Sequence, residues 1–302
     1  MVHHKVCPLC GSEKIGLHFR CTDNFISKEA FDIYKCSTCD FEFTQYCPDE
    51  TSISHYYESE DYISHSDTSN GIANKLYHIV RTFMLIRKKA IIKNVTGRNT
   101  GFLLDIGSGT GHFAHTMKTA GWSVKGIEIN EKARLYSSSQ FNLEVLGPEQ
   151  ILTLKSDSFD CITLWHVLEH FHDPYKYATD ILRLLKPNGI CVIALPNSSS
   201  FDATHYGSFW AAFDVPRHLW HYDPHTFKIF AEKTGFALEK LSSLPLDVFY
   251  ISILSEKYKG SKLNFLKGIV RALPFAFLSL FNIKKSSSVI YILRKTPHSS
   301  YQ

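Results

Sequence analysis

The stretch Leu103-Leu104-Asp105-Ile106-Gly107-Ser108-Gly109-Thr110-Gly111-His112 decides how this chain of 302 residues is read. Its apolar start has the pattern of a buried strand, and the run breaks at Gly107 into a glycine-rich turn. Phe113, Met117 and Ala120 then fall on one face of an amphipathic helix. Glycines at 107, 109 and 111 let the backbone turn sharply and approach a ligand with no Cβ in the way. The amides that open the helix face an anionic group. Strand, glycine loop and helix in this order are how open α/β sheets hold nucleotides.

The spacing is G-x-G-x-G, and His112 stands where the dinucleotide fingerprint needs its third glycine. A second strand, Val124-Lys125-Gly126-Ile127-Glu128-Ile129, carries an acid 21 residues after Gly107, where a carboxylate can bind both ribose hydroxyls. Loop and acid together resemble the class I S-adenosylmethionine-dependent methyltransferases, whose first motif runs D-x-G-x-G-x-G with an acid closing the second strand. The resemblance implies S-adenosylmethionine as cofactor. It also implies cofactor-binding roles for Asp105, Gly107, Ser108, Gly109, Gly111, His112, Glu128 and Ile129.

Composition agrees with one α/β domain and a smaller attachment: 44% of residues are hydrophobic and 21% charged. The formal net charge of +4 is too mild to argue for nucleic acid. The sequence opens without a charged-then-apolar signal segment, so the expectation is a cytoplasmic protein. Six of the eight cysteines lie in the first 47 residues, a clustering that favours metal over disulfides in that compartment.

Residues 1–48 read as a zinc-ribbon-like module. Cys7-Pro8-Leu9-Cys10 and Cys36-Ser37-Thr38-Cys39 are paired C-x-x-C knuckles 25 residues apart. Four thiolates at such spacing surround one Zn²⁺ tetrahedrally, a closed structural site with no open position for catalysis. The gap exceeds the usual roughly 15–20 residues, which a ribbon with an enlarged loop tolerates. Cys21 and Cys47 are spares, either able to replace one ligand. So short a module has little core, and metal would supply its folding energy. Its basic residues (Lys5, Lys14, Arg20, Lys28, Lys35) are scattered among acids, which argues against an RNA-binding role.

Residues 49–100 read as a lid or linker followed by a long helix. Tyr56, Tyr57 and Tyr62 belong to an aperiodic stretch. Ile72, Leu76, Ile79, Phe83, Ile86 and Ala90 then step by four and three, the stripe of a helix ended by Gly97. Arg87-Lys88-Lys89 reads as a solvated face. From 101 to 302 strand and helix alternate, predicting a Rossmann-like doubly wound, mostly parallel seven-stranded sheet. Asn130 caps a helix to Ser139, and Leu143–Leu146 is the third strand. Ser158–Leu164 is the fourth, opening into Trp165-His166-Val167-Leu168-Glu169-His170. Helix Tyr175–Leu185 stops at a predicted turn, Lys186-Pro187-Asn188-Gly189, and the fifth strand Ile190–Leu195 ends at Pro196-Asn197.

These last motifs (L-E-H after strand four, D-P eight residues beyond the tryptophan, L-L-K-P-x-G, and P-N closing strand five) resemble the ubiquinone-biosynthesis-type small-molecule methyltransferases over about residues 100–240. The resemblance implies that Trp165 packs beside the cofactor. The family's third strand often ends in an Asp that holds the adenine amine; here Leu146-Gly147-Pro148-Glu149 stands there instead. The loop 201–223, with its Pro216-Arg217-His218-Leu219 run, is placed on the acceptor side. Oxygen acceptors need a base, and histidine is the usual tool near neutral pH. His166 is the first choice and His218 the second, with His170 and His221 also at the rim, while Glu169 fixes a loop or a histidine tautomer.

The insert 256–286 is apolar and basic. From 256 to 295 there are nine Lys/Arg against one Glu. Lys267, Arg271 and Pro274 interrupt the apolar run, which argues against a membrane span. The insert reads either as a packed subdomain or dimer contact, or as an interfacial helix that places the protein at the periphery of an anionic membrane.

The reading is methyl transfer to a small-molecule acceptor, at oxygen, with a glycan precursor, lipid-linked intermediate or secondary metabolite as the acceptor class. RNA methylation with the ribbon as reader is the second reading, and a catalytically silent cofactor-binding module that recruits partners is the third.

Overall fold

The computed structural model describes residues 1–57 and 72–296. The tyrosine-rich stretch beyond Tyr57 therefore lies outside the described residues, and with it most of the lid expected there.

Strands β1 (Ile15–Thr22), β2 (Ala30–Cys36) and β3 (Glu42–Gln45) form an antiparallel meander after the first cysteine knuckle. Helix α1 (Ile72–Thr96) follows, then β4 (Phe102–Ile106), α2 (His112–Thr119), β5 (Ser123–Ile127), α3 (Glu131–Phe141) and β6 (Glu144–Leu146). Next come β7 (Phe159–Trp165), α4 (Pro174–Leu184), β8 (Leu185–Pro196), α5 (Phe201–Tyr206), β9 (Trp220–His221) and α6 (Pro224–Lys233). The chain closes with β10 (Phe236–Ser243), α7 (Asp247–Tyr258), α8 (Asn264–Phe281) and β11 (Ser288–Lys295).

Seven strands make one sheet in the order β10-β11-β8-β7-β4-β5-β6. The pairs among β6, β5, β4, β7 and β8 are parallel, and β11 enters antiparallel between β8 and β10. This is the predicted Rossmann-like architecture, and the alternation along each strand explains its layers. Leu104, Ile106, Ile162 and Leu164 point to one face, while Leu103, Cys161, Ile190 and Val192 meet α1 and α2 on the other.

Two local expectations differ. Lys186–Gly189 is not a free turn: Leu185 pairs with Phe159 and Ile190 with Cys161, so the four residues bulge within β8. In α1, Phe83 and Ile86 are exposed, and the packed stripe instead carries Leu85, Ile91, Ile92 and Val95. Periodicity located the helix correctly but picked the wrong face. Both stripes are apolar, and burial against β7 and β8 chose the one bearing Ile92.

The cysteine-bearing segment shares its core with the larger domain. β3 pairs with β9 through Glu42↔His221 and Phe43↔Trp220, making a four-stranded sheet β1-β2-β3-β9. Leu9, Phe41 and Phe43 join the core of Leu219, Trp220 and Tyr222, while Ile33 packs with Trp210 and Phe213. The ribbon sheet is thus stitched to the loop expected on the acceptor side.

Candidate active site

The site lies along the carboxyl edge of the parallel strands, where open α/β sheets bind ligands. At the end of β4, Gly107 (φ 70°) and Gly111 (φ 80°) hold left-handed conformations. A Cβ at Gly107 would collide with Val167, and one at Gly111 would meet Ser137 Oγ at 2.7 Å. At Gly109 a Cβ would meet nothing within 4 Å. The loop therefore packs tightly at both ends and leaves open space over its middle glycine. Its amides at Gly107 and Ser108 donate to Ile127 O at 2.7 and 3.0 Å, fixing the loop to β5.

Glu128 follows β5. Its Oε2 accepts from Gly109 N at 2.8 Å and its Oε1 from Asn130 N at 2.9 Å. A carboxylate oxygen takes more than one hydrogen bond, so both remain able to accept ribose hydroxyls. Asp105, buried beneath the loop, accepts from Thr163 Oγ1 at 2.7 Å, and burial pushes its carboxyl up to about 7. The buried Ser108 Oγ and Trp165 Nε1 have no hydrogen-bond partner among the described residues. Open space over Gly109, a preorganised acid and unused polar atoms fit an adenosine-bearing cofactor. Ile129, 80% exposed, borders this edge. His112 opens α2 with its Nε2 3.2 Å from Arg81 Nη1 of α1.

Lys88, read from sequence as part of a solvated face, is turned inward. Its Nζ sits 4.4 Å from the centre of the Trp165 ring, which meets Phe113 edge-on at 5.2 Å. Burial lowers the Lys88 pKa, opposed by Asp105 and Asp247. Neighbouring Arg87 instead holds the Ser243 carbonyl at 2.9 Å.

Beyond Trp165 the chain makes a short 3-10 turn, Leu168–His170. It brings the four predicted catalytic residues together with two that sequence reading missed. His166 Nε2 lies 3.1 Å from Asp247 Oδ2, and its Nδ1 lies 3.6 Å from Glu169 Oε1. Burial alone would lower the His166 pKa, but these carboxylates override it and raise the group to about 9. His166 is therefore an imidazolium near neutrality and a poor proton acceptor, whatever its place in the motif. No spacing in the sequence could reveal Asp247, which reaches the site from α7.

His170 behaves oppositely. Burial and then His218 lower it to about 4, leaving it neutral. Its Nδ1 lies 3.0 Å from both Arg217 O and Tyr57 Oη; a proton there satisfies the carbonyl and leaves Nε2 as acceptor. His218 Nδ1 likewise donates to Ala212 O at 2.8 Å. Glu169 is 1% exposed, and neither of its oxygens has a hydrogen-bond donor among the described residues. Burial would raise it, yet the surrounding histidines hold it below the usual carboxylate value. One donor atom each from Glu169, His170 and His218 lie within 4.8 Å of one another, close enough to share a proton or hold a cation. Tyr57, the second missed residue, is the last described residue of the stretch read as a lid.

The Arg217 guanidinium points away from this cluster, which the residue meets only through its carbonyl. It is 2% exposed, with Nη2 2.9 Å from Asp23 and 2.7 Å from Asp214, and Nη1 3.0 Å from Tyr56 O. It ties the ribbon to Tyr56 and to the loop that carries Asp214.

The cysteines gather as the knuckles predict. Cys7 and Cys39 Sγ are 3.6 Å apart, Cys10 and Cys36 Sγ are 3.6 Å apart, and all four lie within 4.8 Å. Sulfurs about 2.3 Å from a tetrahedral zinc stand about 3.8 Å apart, so the set fits Zn²⁺. Cys10 N and Thr38 N point at Cys7 and Cys36 Sγ at 3.4 Å, as thiolate acceptors require. Gly11 (φ 79°) and Asp40 (φ 63°) let each knuckle turn back. Cys21 is elsewhere, donating to Ser208 O at 3.5 Å, and Cys47 stands outside the group of four.

A family described as a methyltransferase domain matches residues 82–241, just over half of the chain. The chain belongs to this family. It is an S-adenosylmethionine-dependent methyltransferase. Among curated relatives, the methyltransferase is 34% identical over 103 residues to the ubiquinone biosynthesis O-methyltransferase of Paraburkholderia phymatum, covering 32% of this chain and 43% of that protein. It is 32% identical over 129 residues to the enzyme of the same name from Xanthomonas oryzae pv. oryzae, covering 40% and 54% respectively. The chain thus spans about half the length of these relatives. Among solved structures, a Haloferax volcanii methyltransferase in complex with a methyltransferase activator shares the fold at a TM-score of 0.50 and 13% identity, over 70% of this chain and 90% of that one.

Proposed function

We propose that this methyltransferase methylates an oxygen of a small-molecule acceptor: a glycan precursor, a lipid-linked intermediate or a secondary metabolite. The observation that carries the reading is the gathering of Glu169, His170 and His218 within 4.8 Å at the end of β7, next to Trp165, with His170 Nδ1 held on the Arg217 carbonyl so that its Nε2 is left as acceptor. S-adenosylmethionine, when bound, supplies a methyl group on a good leaving group. The protein must then hold the acceptor in near-attack contact and remove its proton. His170 Nε2 is the proton acceptor in this account, with His218 lending its own Nε2. Glu169 stabilises the imidazolium that forms, and His166, already charged, orients Glu169 and Asp247. Two relatives named as O-methyltransferases support oxygen as the target.

The four-cysteine cluster holds one structural Zn²⁺ in this reading, and that metal fixes the ribbon against β9. A thiolate-zinc site is at home in a reducing cytoplasm, where we place the protein.

The test supplies purified protein with methyl-labelled S-adenosylmethionine and extract fractionated into soluble metabolites, lipids, RNA and protein. Label in the metabolite or lipid fraction, lost in His170→Ala, is the expected result. Label confined to RNA, or cofactor binding with no label anywhere, overturns the proposal.

A further inference from the structure

Helix α8 carries an apolar surface that the fold does not use. Gly268 and Ala272 face inward; a Cβ on Gly268 would come 2.5 Å from Ile253 Cα, so α7 and α8 approach backbone to backbone there. On the opposite side Leu266, Val270, Leu273, Phe277 and Phe281 recur at steps of four and three, and each is more than half exposed. Five large apolar side chains in one outward stripe exceed the scattered hydrophobics of an ordinary surface.

By length and composition the helix could cross a bilayer: its 18 residues have a mean hydropathy of 1.3 and only 11% are buried. Pro274 sits inside it without ending it. The topology forbids a crossing. β10 before the insert and β11 after it pair along their whole lengths in the same sheet, and a single span would put them on opposite sides of the membrane. The stripe can meet a membrane only by lying along it.

Charge indicates which surface it meets. Lys259 and Lys262 precede the helix, Lys267 and Arg271 border the stripe, and Lys284 and Lys285 follow it. None of these six forms an ion pair with an acid among the described residues; Lys285 Nζ is held by Ser199 O at 2.6 Å, so the other five carry the charge offered to a surface. A second copy docking stripe to stripe would bring two such basic sets together with no acid to offset them. An anionic bilayer complements both, its headgroups the charge and its acyl chains the apolar stripe.

We propose that α8 is an interfacial helix that docks this methyltransferase on bilayers containing anionic lipid, with the stripe from Leu266 to Phe281 buried among the acyl chains and the flanking lysines on the headgroups. The proposal stands apart from the acceptor's identity and from the catalytic cluster.

The test is flotation of the full-length protein with vesicles of phosphatidylcholine alone, and with vesicles in which about a third of the lipid is phosphatidylglycerol. Binding to the anionic vesicles is expected. It should weaken by at least about tenfold in Lys267→Glu/Arg271→Glu, and in Leu273→Ser/Phe277→Ser, with thermal unfolding unchanged because these side chains are exposed. Phe277→Trp should shift its emission to the blue when anionic vesicles are added. No binding to anionic vesicles, or equal binding by wild type and both double variants, overturns the proposal. So does a dimer in sedimentation that Leu273→Ser/Phe277→Ser dissolves, because the stripe then belongs to a second copy.

Discussion

Arg217 Nη2 lies 2.9 Å from Asp23 Oδ1, joining two residues 194 positions apart, and neither side chain is more than 2% exposed. The guanidinium also grips Asp214, so two carboxylates neutralise one buried cation. Asp23 further accepts from Ser27 N and Phe25 N; burial would raise its carboxyl, but the Arg217 guanidinium first, and then these bonds, hold it near 2. The ribbon is thereby tied to the loop that carries His218. Thr44 repeats the connection by donating to His218 O at 2.7 Å.

Asp23→Ala should therefore act on both fold and site. Breaking a buried pair costs about 3–5 kcal/mol, reduced here because Asp214 remains. A loss of about 2–4 kcal/mol in denaturant unfolding is expected, with methyl transfer falling because His218 loses its support. A loss below about 0.5 kcal/mol, the scale of an exposed pair, would contradict the geometry.

The cysteine cluster predicts one zinc per chain. Cys36→Ser should lose the metal and unfold at lower temperature, whereas Cys21→Ser, whose thiol bonds to Ser208 O, should keep it. Full zinc retention in Cys36→Ser would refute the ligand set.

His166 makes stability depend on pH in a defined direction. Its folded pKa, about 9, lies above the free value of 6.5. A raised pKa contributes stability that is complete below the unfolded value and lost as pH rises through the folded one. The melting temperature of the wild type should fall between about pH 7 and 9.5 more than that of His166→Gln. Parallel curves would show that the contacts with Asp247 and Glu169 do not hold a proton on His166.

The cofactor loop separates two glycines by what surrounds them. Gly107→Ala meets Val167 in a left-handed backbone and should abolish cofactor binding or folding. Gly109→Ala meets no neighbour but must hold the same left-handed backbone (φ 53°), so it should fold with a modest loss of stability, and it weakens binding by filling the open space above the loop. Thermal melts with and without cofactor distinguish the two.

Much of this was legible in the sequence because local chemistry wrote it there. Gly107, Gly109, Gly111 and Glu128 stand at the spacing that a strand-loop-helix unit requires, and the knuckles Cys7/Cys10 and Cys36/Cys39 need no tertiary knowledge to be seen. What escaped depends on distant partners. Asp247 meets His166 across 81 residues, so the carboxylate that raises the His166 pKa had no sequence signal. Lys88 looked like one of three solvated cations until helix packing turned it over Trp165. The pairing of β3 with β9, which joins the ribbon to the loop 201–223, rests on a two-residue strand too short for any pattern to announce.

Equilibrium binding of S-adenosylmethionine to the wild type and to Glu128→Ala, by calorimetry, tests the central claim most directly. Two hydrogen bonds to a charged group, at about 1.5–3 kcal/mol each, would be lost. The account predicts one cofactor per chain for the wild type and an affinity at least about tenfold weaker in the variant. Absence of wild-type binding, or equal affinity in the two proteins, would contradict it.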